Sequence, residues 1–555
     1  MPDTSYDAIV IGGGHHGTII ACYLQHAGLK TLVCERQHEL GGGACGEELP
    51  LPGFIQNTCA HFTRVWTHPV YTDFNLREYG LKYIFPDQNE GMVYPDGTCF
   101  VGYSAWKVID PLTGKEELSN ENVKKTYNEI ARFSKTDAET YLEILGKYQR
   151  KWRAAFREYR YSPPTPWGVK NALERLCDDP VDGIDPVYQF MTGSQIAKDL
   201  FESPELQCLF MRAIETSTGC FPGDVIGLYV FVHVIALTLS LESVSIVIGG
   251  THTITHALQR AFSAMGGEFC VETEVDKVLV ENGSAKGVRL SNGTEVEVKQ
   301  LVVSDLGMSQ TIFRLLGENF VTPKVARRIR NIRYDRSQIY WGNMAMHELP
   351  KYKAVSFNPD IGSQPRLYMG DKDPEYISWK YQADIFTKGF PEKWYMLAAP
   401  DSIWDKTRAP AGKHTILVEE FAPPLHLFSE RQWLKMKKEV EDLMLKQWQI
   451  YAPNMTRENV IEAFITTPYD TVMRNIDMLE GGWAEGAMFA SQADRFRPIP
   501  DLSGYRLPFL KNMYICSSNM HSGGGIARGS SYNCFKVIAE DFKLEKLWEI
   551  KGRPY

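Results

Sequence analysis

Near its start the chain passes from apolar to glycine and back to apolar. Ala8-Ile9-Val10-Ile11 is a continuous apolar run, residues 12–17 read GGGHHG, and Ile19, Ile20, Tyr23, Leu24 and Ala27 then recur at helical spacing. An apolar run without alternation predicts a parallel strand buried on both faces, and the later recurrence predicts a helix that Gly28 can close. Thr31-Leu32-Val33-Cys34 predicts a second strand, so the pattern is a βαβ unit.

Further along, Ser119 to Tyr161 is charged with helical periodicity, and Ser162-Pro163-Pro164-Thr165-Pro166 breaks it. The stretch from Val225 to Ile248 is apolar enough to test as a membrane span. His233, Glu242 and several serines and threonines interrupt it, and Val244 to Ile248 is rich in β-branched residues. A buried helix followed by a strand is the preferred reading, with a membrane span as the alternative. Asn282-Gly283 marks a hairpin and Asn292-Gly293 a further turn. From about residue 340 to 430 alternation and prolines predict a β-rich cap, and the chain carries no tandem repeat or low-complexity tract.

Composition narrows the field. A length of 555 residues suits two or three interleaved domains. The net charge of −8, with no lysine or arginine stripe, argues against a nucleic-acid partner. Eleven cysteines are scattered without a C-x-x-C pair, which favours a reducing compartment and argues against a zinc site or a redox disulfide. No basic, apolar leader precedes Asp7, so no cleaved export or transit peptide is expected. The expected location is cytoplasmic, with peripheral membrane contact left open.

The candidate chemistry begins at the glycines. In Gly12-x-Gly14-x-x-Gly17, placed between strand and helix, Gly12 permits a tight turn, Gly14 lets the backbone approach a pyrophosphate, and Gly17 lets helix pack on strand. Glu35 ends the second strand, where a carboxylate accepts hydrogen bonds from a ribose and disfavours the 2′-phosphate of NADP. A second cluster, Glu35-Arg36-x4-Gly41-Gly42-Gly43, is superfluous in a simple NAD fold and points to FAD. His15 and His16 are adjacent and lack partners for a metal. As neutral rings at a positive helix end they can donate to a phosphate or ribose, with His15 also placing its backbone at the phosphate.

For proton transfer the candidates are His233 and Tyr229 on the apolar helix, His61 in CAHFTRVW, and His521 before the last glycines. For each, a hydrogen-bonded core or cofactor-contacting residue is the plainer alternative. H-E-x-x-H, G-x-S-x-G and C-x-x-C are absent from the sequence, and His252 and His256, at i and i+4, lack a third ligand nearby, so no metal site is expected.

The ER-x4-GG phrase joined to the first glycine turn resembles the phytoene desaturase and carotenoid isomerase family of FAD enzymes, which shares its fold with amine oxidases. Within it the match is to the pyridine nucleotide-disulphide oxidoreductase domain-containing branch, whose phosphate turn reads G-x-G-H-N-G and whose second cluster ends in two glutamates; here these are GGGHHG and LGGGACGEE, with Glu47 and Glu48. Two later segments are similar as well: IGGTHTITHALQRAF through LVVSDLG, in which the equivalent of Val275 contacts adenine through its backbone, and the closing stretch from GGWAEG to Gly523-Gly524-Gly525 and the last helix. The chain departs from the family where Gly43 and Ala44 replace a common arginine and where His-Pro-Gly-Gly-Gly reads His521-Ser522-Gly523-Gly524-Gly525.

The resemblance implies an α/β fold: a Rossmann-like FAD-binding domain from residues 1–110, 241–310 and 481–555, interleaved with an α+β substrate domain whose helical part is 111–240 and whose β-rich cap is 311–480. It also implies an FAD-dependent oxidoreductase acting on a C–C bond of an apolar or alicyclic molecule, by desaturation, saturation or double-bond isomerisation. Oxygen, a quinone or another carrier would accept the electrons. The alternatives are an amine oxidase acting on C–N bonds and a flavin-bearing interaction protein with little turnover.

Overall fold

In the computed structural model, which describes residues 5–555, the first apolar run is the strand Ser5–Ile11 at the centre of a seven-stranded sheet. Thr31–Cys34 lies parallel on one side of it and Glu295–Ser304 parallel on the other. Glu268–Cys270 extends the sheet beyond Thr31–Cys34, and Met513–Ile515 pairs with the end of Glu295–Ser304. Both pairings are parallel, so the carboxyl ends of all five strands point the same way. That is the edge where open α/β sheets bind nucleotides. The hairpin Val275–Glu281 and Ser284–Leu290 is added antiparallel to the beginning of Glu295–Ser304. Its turn residues Asn282 and Gly283 both have positive φ, as the sequence pair predicts for a two-residue turn.

The glycine turn leads into the helix His15–His26, whose residues 15–24 are all buried. The helix Ser530–Phe542, which follows the closing glycines, packs beside it, with Tyr23 stacked on Phe535 at 5.0 Å.

A second seven-stranded sheet runs in the order 460–466, 339–346, 414–421, 396–399, 366–369, 88–93, 99–103. All its pairings are antiparallel except that of Arg366–Met369 with Gln88–Val93. The two N-terminal strands of this sheet fall inside the segment 1–110, so residues of that segment serve both layers. Ile339–Met346 is buried at every position, since the long helix Glu430–Tyr451 covers one face with Trp433 and Trp448. Its other face looks toward the first sheet and helps to enclose the site.

Helices fill the remaining side. The charged stretch forms Asn120–Ala131, Lys135–Lys147 and Arg153–Tyr161, the last two joined by a π-helical turn, and it ends at Ser162. The apolar stretch forms the helix Gly227–Thr238, in which every residue but His233 is buried. The strand after it is shorter than its β-branched run suggests, only Ile246–Val247 paired with Tyr83–Ile84. Among the described residues no helix is long and apolar enough to cross a membrane.

Candidate functional site

The first glycine turn is built by contacts that leave no room for side chains. Gly12 has φ of +95°, and its N–H donates to the Cys34 carbonyl at 2.9 Å. A Cβ at Gly17 would lie 2.2 Å from the Gly12 oxygen, and one at Gly14 would lie 2.6 Å from Asp305 Oδ2. The second cluster folds onto the first: Gly41 N–H donates to the Gly13 carbonyl at 2.9 Å, and a Cβ at Gly42 would lie 3.0 Å from Gly14 Cα. Glu35 ties the two together, accepting from Gly13 N at 2.7 Å and from Gln37 N at 2.8 Å.

Asp305, at the end of the strand Glu295–Ser304, accepts from the backbone of Gly17 and Gly14. Burial raises its carboxyl well above the usual range, and the nearby Asp477 and Glu35 add to the rise. That rise disfavours a negative charge beneath the turn, where it would oppose a phosphate.

The two histidines part company here. His15 faces the cavity with its Nε2 buried and unpartnered, and burial lowers its pKa to about 4, so the ring is neutral at pH 7. His16 lies behind the cavity wall, with Nδ1 3.3 Å from Ser531 Oγ. An orphaned ring nitrogen, a turn closed to any Cβ and the free end of a helix suit the pyrophosphate of a dinucleotide. Arg36, Gly43, Val275 and Gly525 line the same cavity.

The cavity, about 550 Å³, continues from this cradle to an inner lobe between the helix Gly227–Thr238 and the strand His414–Phe421. Phe62, Leu237, Ile339 and Trp341 give it apolar walls. His61 lies among them, its ring 4.4 Å from that of Phe62 and edge-on to Trp341 at 5.9 Å. Its Nε2 is 3.9 Å from Glu419 Oε2. Burial, aided by Arg366 and Arg408, pushes His61 down to about 3, so this is a contact between a neutral ring and a carboxyl rather than an ion pair.

Glu419 is a carboxyl of the lobe that titrates close to physiological pH. It is 1% exposed, neither of its oxygens has a hydrogen-bond partner, and burial raises its pKa to about 7. A carboxyl poised there exchanges a proton near neutral pH. Its neighbour Glu420, equally buried, points to the opposite face of the strand. There it accepts from Tyr395 N at 2.7 Å, Phe421 N at 2.9 Å and the Tyr381 hydroxyl.

Four guanidinium groups complete the lobe: Arg64, Arg160, Arg366 and Arg528. His233, stacked on Phe156 at 5.8 Å, turns its side chain into this lobe, and burial and the four guanidiniums push its pKa well below the usual value.

Of the residues singled out from sequence, the structure gathers Gly12, Gly14, His15, Glu35, Arg36, Gly41, Gly42, Gly43, Val275, Gly525, His61 and His233 around one cavity. Gly17, His16, Gly523 and Gly524 stand behind its wall; a Cβ at Gly524 would lie 2.6 Å from the Ala484 oxygen, so that glycine serves a backbone crossing. His521 and Tyr229 do not line the cavity. His521 Nε2 is 2.9 Å from the Tyr159 carbonyl, and Tyr229 stacks on Tyr159 at 4.8 Å, so both serve the packing behind the lobe. Sequence reading missed Glu419, Asp305 and the arginines. The available signals were the acidic pair inside the apolar run ILVEEF and the arginine opening the buried strand RLYM.

The parallel sheet, the double glycine cradle and the adjoining closed lobe define an FAD-dependent oxidoreductase of the amine-oxidase fold. Residues 17–337 match the flavin containing amine oxidoreductase family, and the chain belongs to that family. Among its relatives, the mouse pyridine nucleotide-disulfide oxidoreductase domain-containing protein 2 is 27% identical, over 97% of this chain and 94% of its own length. A limonene dehydrogenase component of Castellaniella defragrans is 24% identical, over 98% of this chain and 96% of its own. The neurosporene-forming phytoene desaturase of Rhodobacter capsulatus is 23% identical, over 94% and 91%.

Proposed function

We propose that this enzyme dehydrogenates or isomerises a C–C bond of an alicyclic small molecule held in the inner lobe. The observation that carries the proposal is Glu419: a buried carboxyl without a hydrogen-bond partner, with a pKa of about 7, in a pocket walled by Phe62, Ile339 and Trp341. FAD, held by the glycine cradle, His15 and Glu35, supplies the hydride acceptor when bound. The protein's own part is to take the second hydrogen. Glu419 as carboxylate accepts a proton from the neighbouring carbon, the electron pair of that C–H bond becomes the new π bond, and Glu419 is left as the neutral acid. The aromatic walls exclude water and hold the ring of the substrate.

Relatives named for limonene and phytoene dehydrogenation support C–C chemistry. The charge of the lobe supports it too, because four guanidiniums disfavour the ammonium form in which an amine substrate arrives. The test is anaerobic mixing of the yellow protein with limonene, cyclohexenecarboxylate and cyclohexylamine. Bleaching of the visible flavin band by a cyclic alkene is expected. Bleaching by cyclohexylamine alone would replace this reading with amine oxidation.

A further inference from the structure

The inner lobe carries more positive charge than the protein itself answers. The Arg64 side chain makes no hydrogen bond or ion pair with any described residue. Arg160 is buried with Nε unpartnered, its guanidinium 4.4 Å from the Phe156 ring, and no carboxylate pairs with it. Arg528 is buried as well; it donates to the Ser217 carbonyl at 2.9 Å and lies 5.2 Å from the Tyr229 ring, again without a carboxylate. Only Arg366 has an acidic partner, Glu90 at 3.2 Å.

Glu90 and Glu419 stand among these guanidiniums, and Glu419 is neutral below about pH 7. Glu242, behind the wall, is committed to Arg153 at 2.7 Å and to the Tyr148 hydroxyl at 2.8 Å. Four guanidiniums thus share Glu90, Glu419 where it is ionised, and the field that Glu242 exerts on Arg64 from behind the wall. Buried cations persist where something pairs with them, and among the described residues no carboxylate forms an ion pair with Arg64, Arg160 or Arg528.

We infer that the substrate carries a carboxylate, which Arg64 and Arg160 bind while its alicyclic body lies against the aromatic wall. Arginine suits this role because its planar fork meets a carboxylate with two parallel hydrogen bonds. Burial first, and then these same four guanidiniums, hold the pKa of the neighbouring His233 below its usual value. The inference deepens the proposed function and rests on the inner lobe being the substrate site.

The test is titration of the yellow holoprotein with cyclohexanecarboxylate and with its neutral isostere cyclohexanecarboxamide, followed by calorimetry and by perturbation of the visible flavin band. In the wild type the acid is expected to bind at least tenfold more tightly than the amide. Arg64→Gln is expected to erase most of that preference with flavin content unchanged, and Arg64→Lys to keep much of it. Equal affinity for acid and amide in the wild type overturns the inference, and this comparison needs no variant. A preference unchanged in Arg64→Gln overturns the assignment to this wall. The two readings fail separately: acid binding without bleaching by any cyclic alkene refutes the proposed reaction alone, whereas bleaching by limonene with no preference for the acid refutes the anion site alone.

Discussion

The cradle and the inner lobe are two ends of one cavity, yet they are built on opposite plans. Most of the cradle comes from residues 12–43, a short continuous stretch, and its demands fall on the backbone: Gly14, Gly17 and Gly42 stand where a Cβ would meet Asp305, the Gly12 oxygen or Gly14 itself. The lobe draws single side chains from His61, Arg160, His233, Arg366, Glu419 and Arg528, on strands, helices and loops far apart in sequence. Backbone constraint leaves a spaced pattern of glycines, whereas convergent side chains leave isolated polar residues in apolar runs.

Removing the backbone constraint is expected to have the largest effect. Gly14→Val places branched carbons against Asp305 and across the turn, and the purified protein should be colourless, with no flavin recovered on reconstitution. A yellow Gly14→Val protein would mean that the turn is not the cofactor's seat. Glu419→Gln should leave the flavin content intact and slow anaerobic bleaching by roughly 100-fold or more, the usual contribution of a positioned base. The same variant should therefore separate the two regions: full colour, little turnover.

At the small end, Ser531→Ala removes the 3.3 Å contact to His16 behind the cradle. Its expected cost is about 1 kcal/mol of stability in denaturant melts, with flavin affinity unchanged, since His16 does not line the cavity. A Ser531→Ala protein that loses flavin would place His16 in direct contact with the cofactor.

The same contrast explains what the sequence made legible. The βαβ unit, the Asn282-Gly283 hairpin, the helix break after Tyr161 and a buried helix within Val225 to Ile248 follow from local periodicity and turn chemistry, and the structure has them. Strands 88–93 and 99–103 join the second sheet, a pairing that depends on the distant strand Arg366–Met369 and has no local signal. His521 and Tyr229 are chemically suited to catalysis but are spent on packing against Tyr159. Glu419 and Glu420 are adjacent and equally buried, and the two-residue period of a strand sends one to the cavity and the other to backbone donors. Composition alone does not distinguish them; the strand's partners do.

The central claim is that Glu419 takes the proton in a lobe fed by the flavin cradle, and the rate of anaerobic flavin bleaching by cyclohexenecarboxylate, measured from about pH 5 to about pH 9, tests it most directly. Because burial raises the folded carboxyl to about 7, the proton-accepting form grows as pH rises through that value. The account predicts a rate that climbs through about pH 7 and levels above it in the wild type, and a low, flat profile in Glu419→Gln. A wild-type rate independent of pH, or the same climb retained in Glu419→Gln, would contradict it.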